Sequence, residues 1–483
     1  MTKTIEYLNN TTGSGKTEYI TNIISVNTDQ KYLLVVPNRE LCGEIEKRLV
    51  SKGVTQIRTI NQITAGHPVK ELKSEVCSKT TRVIITTQAS FKTALIEGLK
   101  FKKEWNLILD EDFAPVIEHE IYFTKATIAS LMACFEFTPS EYKEGYIDVC
   151  PNHEYLDEVF IKKNVQDTLL NNKPFRTLVS LSYSKSYNTM IDTSHYNRLK
   201  DFVEADKDKN GFKFYAISLL NMDDFFTFKS VTVSSSCYEH SLSYKLFKLN
   251  GVKLAQIELP DEVVVDDYSH VTIKYYTDKN WSTQLRTTKV NDKHTMESLV
   301  YSRCINDING REFIYNANTT FRDKVDGGKL VTSIQGVNKY IKYRTMLYMP
   351  SLNASGDFVR FFSMMGITRK DIDFDRNVLS AFQFVSRGAI RDVSNKQSID
   401  IYVMDRRTAV FLEQMFPKSK VEYVCIGKQK NKVPDKVKSF VCRIKKRIKE
   451  KQPIRDTTMN KYIMYMIDYY GKSPDIKKGI TND

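Results

Sequence analysis

The sequence predicts an α/β protein with two mostly parallel sheets, a module inserted between them and a basic segment after them. Two observations predict the sheets. Short apolar runs alternate with amphipathic stretches over roughly the first hundred residues, and the same alternation returns from Glu312 onward. A third sets off the insertion: Glu118–Asp224 is rich in Tyr, Phe, Asn and Lys and lacks that alternation. A length of 483 residues leaves room for about three domains.

In the first half, Thr4–Leu8, Lys31–Val36, Arg82–Thr86 and Leu107–Asp110 read as strands, being short, β-branched or Leu-rich, and closed by turn or polar residues. Lys16–Ile24, Arg39–Lys52 and Gln88–Gly98 read as the helices between them. In the second half the expected strands are Glu312–Asn316, Lys329–Ser333, Thr345–Met349, Ile399–Met404 and Val421–Cys425, with helices at Asp375–Ser386 and Arg407–Phe416. The expected domains are 1–117 with 225–260, an insertion over 118–224 that is mostly helical, a second α/β domain over 261–427, and a basic C-terminal appendage over 428–483.

The first strand runs directly into Asn10-Thr-Thr-Gly-Ser-Gly-Lys-Thr17, which opens the first helix. That context makes a phosphate-binding loop credible, because backbone N–H groups of small residues at a helix N-terminus can wrap phosphate oxygens. Gly13 and Gly15 allow the close approach, with Thr12 and Ser14 completing the loop. Lys16 would reach the outer phosphates and Thr17 would place its hydroxyl on Mg²⁺. The general pattern wants Gly where Asn10 stands. Such a site also needs a carboxylate at a neighbouring strand end, and Leu107-Ile-Leu-Asp-Glu-Asp-Phe113 supplies Asp110 for Mg²⁺ and Glu111 as the base for the attacking water. Acidic pairs after strands often merely begin turns; their weight here comes from the loop upstream.

Together these residues resemble superfamily 2 helicases of the DExD/H type, and further segments follow in the family's order. Val36-Pro-Asn-Arg-Glu-Leu41 and Ile85-Thr-Thr-Gln88 look like motifs that hold the nucleic-acid backbone, which implies contacts from Arg39, Thr86 and Thr87. Val231-Thr-Val-Ser-Ser-Ser-Cys237 resembles the motif coupling ATP state to strand movement, with Ser235 and Ser236 as its hydroxyls in a register uncertain by one residue. Thr332-Ser-Ile-Gln-Gly-Val-Asn338 is similar to a second-domain motif and implies nucleotide contacts from Gly336 and Asn338. Ser380-Ala-Phe-Gln-Phe-Val-Ser-Arg-Gly-Ala-Ile-Arg391 is similar to the motif that carries an arginine finger. It departs from the usual spelling: Gly388 follows the first Arg, and Arg391 lies one residue late. If helical, this segment would present Gln383, Arg387 and Arg391 on one face; a surface basic face is the bland alternative.

The resemblance implies two RecA-like parallel-sheet domains of P-loop NTPase type with ATP held between them, and an ATPase that moves along or unwinds nucleic acid. The motif spelling is most similar to helicases of large bacteriophages. DNA, as single strand or branched duplex, is expected ahead of RNA, with replication or recombination proteins as further partners, although Asp110-Glu-Asp-Phe113 matches neither common four-letter box and gives no help on substrate. It covers 1–117 and roughly 225–405, and leaves the insertion and the tail unexplained. A viral DNA-packaging ATPase would need a nuclease domain with clustered carboxylates, which is not identifiable. A basic nucleic-acid-binding protein with a vestigial nucleotide site is opposed by the intact Lys16, Asp110 and Glu111.

Composition fits that partner. Net charge is +14 in a chain that is 41% apolar, and twelve Lys or Arg fall between Lys428 and Arg455 against Asp435 and Glu450. Lys445, Lys446 and Arg447 lead the nucleic-acid candidates there; a solvated helix face is the alternative. No apolar run is long enough to cross a bilayer, and no apolar signal region precedes the first strand, so a cytoplasmic protein without membrane contact is expected. Cys150 with His153 and Cys237 with His240 are isolated half-sites, so reduced thiols are expected rather than zinc.

Overall fold

The computed structural model describes residues 3–156, 172–205, 211–260, 265–290, 294–322, 325, 327–331, 339–392, 394–424, 435–450, 452–470 and 481–482. Its contacts divide the chain into two units, Met1–Val263 with Ala354–Asp375, and Val264–Asn353 with Arg376–Asp483. The expected boundary near residue 261 is close, but 354–375, expected in the second domain, belongs to the first unit.

The strands of the first unit are β1 (Thr4–Leu8), β2 (Lys31–Val36), β3 (Ile57–Ile60), β4 (Val83–Thr87), β5 (Trp105–Asp110), β6 (Val116–Phe123), β7 (Phe135–Pro139), β8 (Tyr146–Pro151), β9 (Tyr187–Asp192), β10 (Phe212–Leu220), β11 (Ser230–Ser234) and β12 (Lys253–Gln256). Seven of them form a parallel sheet in the order β12-β1-β11-β5-β2-β4-β3. A sheet covered on both faces buries both sets of alternating side chains. Along β2, Leu33 and Val35 enter one core with Phe91, Ala94 and Leu95 of helix Gln88–Ile96. Tyr32, Leu34 and Val36 enter the other with Ile20 and Ile24 of helix Lys16–Val26 and Leu41, Ile45 and Leu49 of helix Arg39–Ser51. The chain thus places the ends of all seven parallel strands on one edge, where βα loops collect functional groups.

The insertion overturns the expectation of a mostly helical module. β6 to β10 form a five-stranded antiparallel sheet in the order β6-β10-β9-β8-β7. One face carries Ile121, Phe123, Phe214 and Ala216 against helices Lys125–Cys134, Lys173–Ser182 and Thr193–Glu204. The other presents Tyr146, Met190, Tyr215 and Ile217 to Phe358, Phe361 and Phe362 of helix Gly356–Met364, together with Ile367 and Ile372. The segment 354–375 therefore fills the sheet's second face. Arg360 closes this contact on Asp192, whose side chain is 1% exposed, at 3.0 Å, and on Asp357 at 2.9 Å.

The second unit is built on β13 (Val271–Thr277), β14 (Ile314–Asn316), β15 (Lys329–Leu330), β16 (Thr345–Tyr348), β17 (Ile399–Asp405) and β18 (Lys420–Tyr423), a parallel sheet ordered β15-β14-β16-β17-β13-β18. Both units thus carry the parallel α/β architecture expected from the sequence.

Two further expectations are corrected here. The segment with Gln383, Arg387 and Arg391 is no continuous helix. Helix Ser380–Val385 stops, and a separate 3₁₀ turn, Ala389–Arg391, follows. Gly388 between them is extended, and a Cβ there would fall 2.2 Å from Met346 Sδ and 3.0 Å from the Tyr343 carbonyl. Close approach to the start of β16, rather than helical periodicity, sets the path. The C-terminal segment, in turn, is more than an appendage: helices Asp435–Lys449 and Asp456–Tyr470 bury Val437, Val441, Ile444, Tyr462 and Ile463 in one core with Leu299 of helix Met296–Ile308.

Candidate nucleotide site

The ends of β1, β11 and β5 stand in register, Leu8 beside Ser234 and Ser234 beside Asp110. At ordinary strand spacing this sets the Leu8 and Asp110 backbones about 10 Å apart, with the Ser-Ser-Ser run between them. Out of Leu8 the loop passes through Gly13 and Gly15, whose φ values of 87° and 95° belong to the left-handed region that glycine reaches without strain. A Cβ on Gly15 would meet nothing within 4 Å, so the demand there is conformational rather than steric.

Lys16 opens the first helix, and its ammonium turns back into the loop. It donates to the carbonyls of Asn10 at 2.6 Å and Thr11 at 2.8 Å, and to Ser236 Oγ at 2.8 Å. Ser236 Oγ also lies 3.3 Å from Thr12 Oγ1. Of the three serines, Ser236 faces the lysine, while buried Ser235 donates its N–H to the Leu8 carbonyl at 3.1 Å. The sequence carries no sign of this direct bond between Ser236 and Lys16.

Asp110 is 8% exposed at the end of β5. Glu111 adopts φ 71°, a conformation that costs a non-glycine residue about 1–3 kcal/mol and marks a constrained turn. Its N–H donates to the Ser234 carbonyl at 2.8 Å. Asp112 accepts from the Ser243 hydroxyl of helix Leu242–Leu249. Burial, with Asp375 and Glu111 adding repulsion, pushes its carboxyl up to about 7. The Leu242 N–H donates to Asp375 Oδ1 at 2.9 Å, which ties the end of the 354–375 segment to the same turn.

Two observations test whether the residues fit a Mg²⁺-bound nucleotide. Ser14 Oγ is buried with no hydrogen-bond partner, a donor suited to a phosphate oxygen. The hydroxyl of Thr17 and the carboxylate of Asp110 are hard oxygen ligands of the few-protein-ligand kind that Mg²⁺ prefers. Both fit. No cluster of three or more His, Cys, Asp or Glu able to hold a metal occurs among the described residues.

The other predicted positions divide. Arg39 is exposed at the start of its helix, just after the Asn38 cap, on the strand-end edge. Thr86 and Thr87 are corrected as nucleic-acid contacts. Thr86 is fully buried, its hydroxyl donating to the Ile60 carbonyl at 2.9 Å, and Thr87 is 7% exposed and caps helix Gln88–Ile96. In the second unit Gln383 is half-buried, Arg387 is 3% exposed, and Arg391 is half-buried. Gly336 and Asn338 lie outside the described residues. Lys445 and Lys446 are exposed, whereas Arg447 is partly buried and donates to the Pro453 carbonyl at 2.7 Å.

A strand-end phosphate loop facing an Asp-Glu pair defines a nucleotide-hydrolysing class of site. The particular kind follows from comparison: residues 7–112 match the DEAD/DEAH box helicase family model, which marks the chain as an enzyme of the ATPase/helicase kind. None of the curated proteins matches it in sequence. Among solved structures, S. tokodaii Xpd4 is similar at 13% identity and TM-score 0.41, over 87% of this chain and 96% of the other. S. cerevisiae Dbp5 bound to RNA and ADP BeF3 is similar at 11% identity and TM-score 0.36, over 88% and 85%. RecG bound to a three-way DNA junction is similar at 13% identity and TM-score 0.33, over 85% and 41%. Likeness at this level assigns neither substrate nor mechanism. No helix among the described residues is long and apolar enough to cross a membrane.

Proposed function

We propose that the chain hydrolyses ATP to move along or unwind nucleic acid, DNA in preference to RNA, acting in the cytoplasm. The observation that carries this is Lys16 folded into its own loop against Ser236, just beyond the β11 end whose Ser234 stands in register with Asp110. The backbone of Gly13, Ser14 and Gly15 and the Lys16 ammonium would bind the phosphates. Thr17 and Asp110 would hold Mg²⁺, which supplies positive charge against the phosphate oxygens. Glu111 would orient the attacking water and take its proton. Ser236, bonded to Lys16, would sense whether phosphate has drawn that ammonium away. Arg387 and Arg391 remain the candidates for an arginine that stabilises charge on the transferring phosphoryl group.

Arg39 and the exposed lysines of helix Asp435–Lys449 would meet the sugar-phosphate backbone, with little sequence preference. ATP turnover with and without nucleic acid, followed by strand displacement on tailed DNA and RNA duplexes, tests the assignment. Lys16→Ala should abolish turnover and leave the thermal midpoint unchanged, because the ammonium serves loop carbonyls rather than a core. Wild-type turnover in that variant would end the assignment of this loop as the phosphate site.

A further inference from the structure

The Thr-Thr-Gln run that closes β4 and opens the next helix resembles a nucleic-acid motif, yet its two threonines are buried and used internally. Its third residue does something else. Gln88, first residue of helix Gln88–Ile96, directs its side-chain amide across to the strand end of β5. There Nε2 lies 3.2 Å from the Asp112 carbonyl and 3.4 Å from the Asp110 carbonyl. A side-chain amide has two N–H donors, and these carbonyls sit on either side of Glu111. Glu111 is the residue in this turn with left-handed φ, at 71°, and its own N–H is tied to Ser234. The strained turn is thus pinned at three backbone points, two of them by one side chain from the helix that follows β4, two strands along the sheet from β5.

We infer that Gln88 is a positioning residue for hydrolysis, holding the Asp110–Asp112 turn in the conformation that aims the Glu111 carboxylate. This rests on the ATPase reading above. Its anchorage supports the role: the Thr87 hydroxyl caps the helix by accepting from Ser90 N at 3.2 Å, and Thr86 bonds the Ile60 carbonyl, so Gln88 starts from a fixed backbone. The functional weight of the motif shifts from its threonines to its glutamine.

The test is a double-mutant cycle between Gln88→Met, which keeps length and removes both donors, and Glu111→Gln. In the full-length protein, Gln88→Met should lower kcat at least tenfold, leave KM for MgATP and the affinity for a non-hydrolysable ATP analogue within about twofold, and cost nothing further when added to Glu111→Gln. Gln88→Glu, whose carboxylate cannot donate, should behave likewise and carries the same comparison if Gln88→Met does not fold. An unchanged kcat, an equal loss of nucleotide binding, or a full additional loss on Glu111→Gln would overturn the inference while leaving the ATPase assignment standing. Undiminished hydrolysis by Glu111→Gln alone would remove Glu111 as the base, and this inference with it, whereas failure of the unaltered protein to hydrolyse ATP would remove the ATPase reading itself.

Discussion

Arg387 and Arg391 show how similar sequence roles can carry different structural loads. Arg387 is 3% exposed beyond the end of helix Ser380–Val385, whereas Arg391 sits half-buried on the following 3₁₀ turn. Replacing a buried guanidinium disturbs its neighbours as well as any phosphate it serves. Arg387→Ala should therefore lower both turnover and thermal midpoint, and Arg391→Ala turnover with little loss of stability. A finger arginine is worth about 10³–10⁵ in rate, so at least one variant should fall more than tenfold. Wild-type hydrolysis in both would remove this segment from the chemistry. Asp112 carries a second residue-scale prediction. Unfolded, its carboxyl ionises near 3.8; folded, it keeps its proton up to about 7, chiefly because burial disfavours the charge. Between those values the folded state binds more protons, so its contribution to stability is lost as pH rises through that window. In nucleotide-free protein, Asp112→Asn should flatten the stability profile between about pH 4 and 7 and raise the midpoint at pH 8. Melting curves across that range check both, and an unaltered profile would mean that Asp112 titrates normally.

At the scale of elements, the inserted sheet and the 354–375 segment depend on one another. The Tyr146–Met190–Tyr215–Ile217 face is covered by Phe358, Phe361 and Phe362, and the Tyr146 hydroxyl donates to the Phe361 carbonyl at 2.5 Å. The Asp192 carboxylate, which also caps helix Thr193–Glu204, has Arg360 as its cationic partner across this contact. Breaking a buried pair by removing one member costs about 3–5 kcal/mol. Arg360 keeps a third of its side chain exposed, which reduces the expected loss for Arg360→Ala to about 2–3 kcal/mol. Urea unfolding should register it, and Asp357→Asn should cost less because Arg360 retains Asp192. A neutral Arg360→Ala would show that the aromatic contacts hold the segment without the ion pair.

At the scale of the molecule, the excess positive charge is carried partly by a folded element. Helix Asp435–Lys449 buries Val437, Val441 and Ile444 and exposes Lys436, Lys438, Arg443, Lys445, Lys446 and Lys449. Truncation after Gly427 would strip the cover from Leu299, so charge removal is the cleaner experiment. Changing Lys438, Arg443, Lys445, Lys446 and Lys449 together to Gln should spare basal ATP turnover. It should weaken single-strand binding and flatten its log–log salt dependence by about 0.7 for each phosphate that is no longer neutralised. Unchanged affinity and slope would reduce this face to a solvated one.

What the sequence determined by itself was whatever local chemistry signals strongly. The β1 loop with Gly13, Gly15, Lys16 and Thr17, the Asp110–Glu111 strand end and most strands of both parallel sheets were legible, because fully buried strands are short apolar runs and a phosphate loop needs particular residue types at fixed offsets. The strands β3, β11, β12 and β13, the last with its interior Lys274, were missed for want of such runs. The insertion misled for a related reason: β6 alternates inward His119, Ile121 and Phe123 with outward Glu118, Glu120 and Tyr122, and a buried histidine disguises the period. Only the tertiary structure decided that 354–375 completes the first unit, that Gly388 lies close against the start of β16, that Ser236 meets Lys16, and that Gln88 spans the Glu111 turn. Each of these joins residues far apart in the chain, and their pairing is set by how strands are ordered and faces covered, which no local pattern encodes.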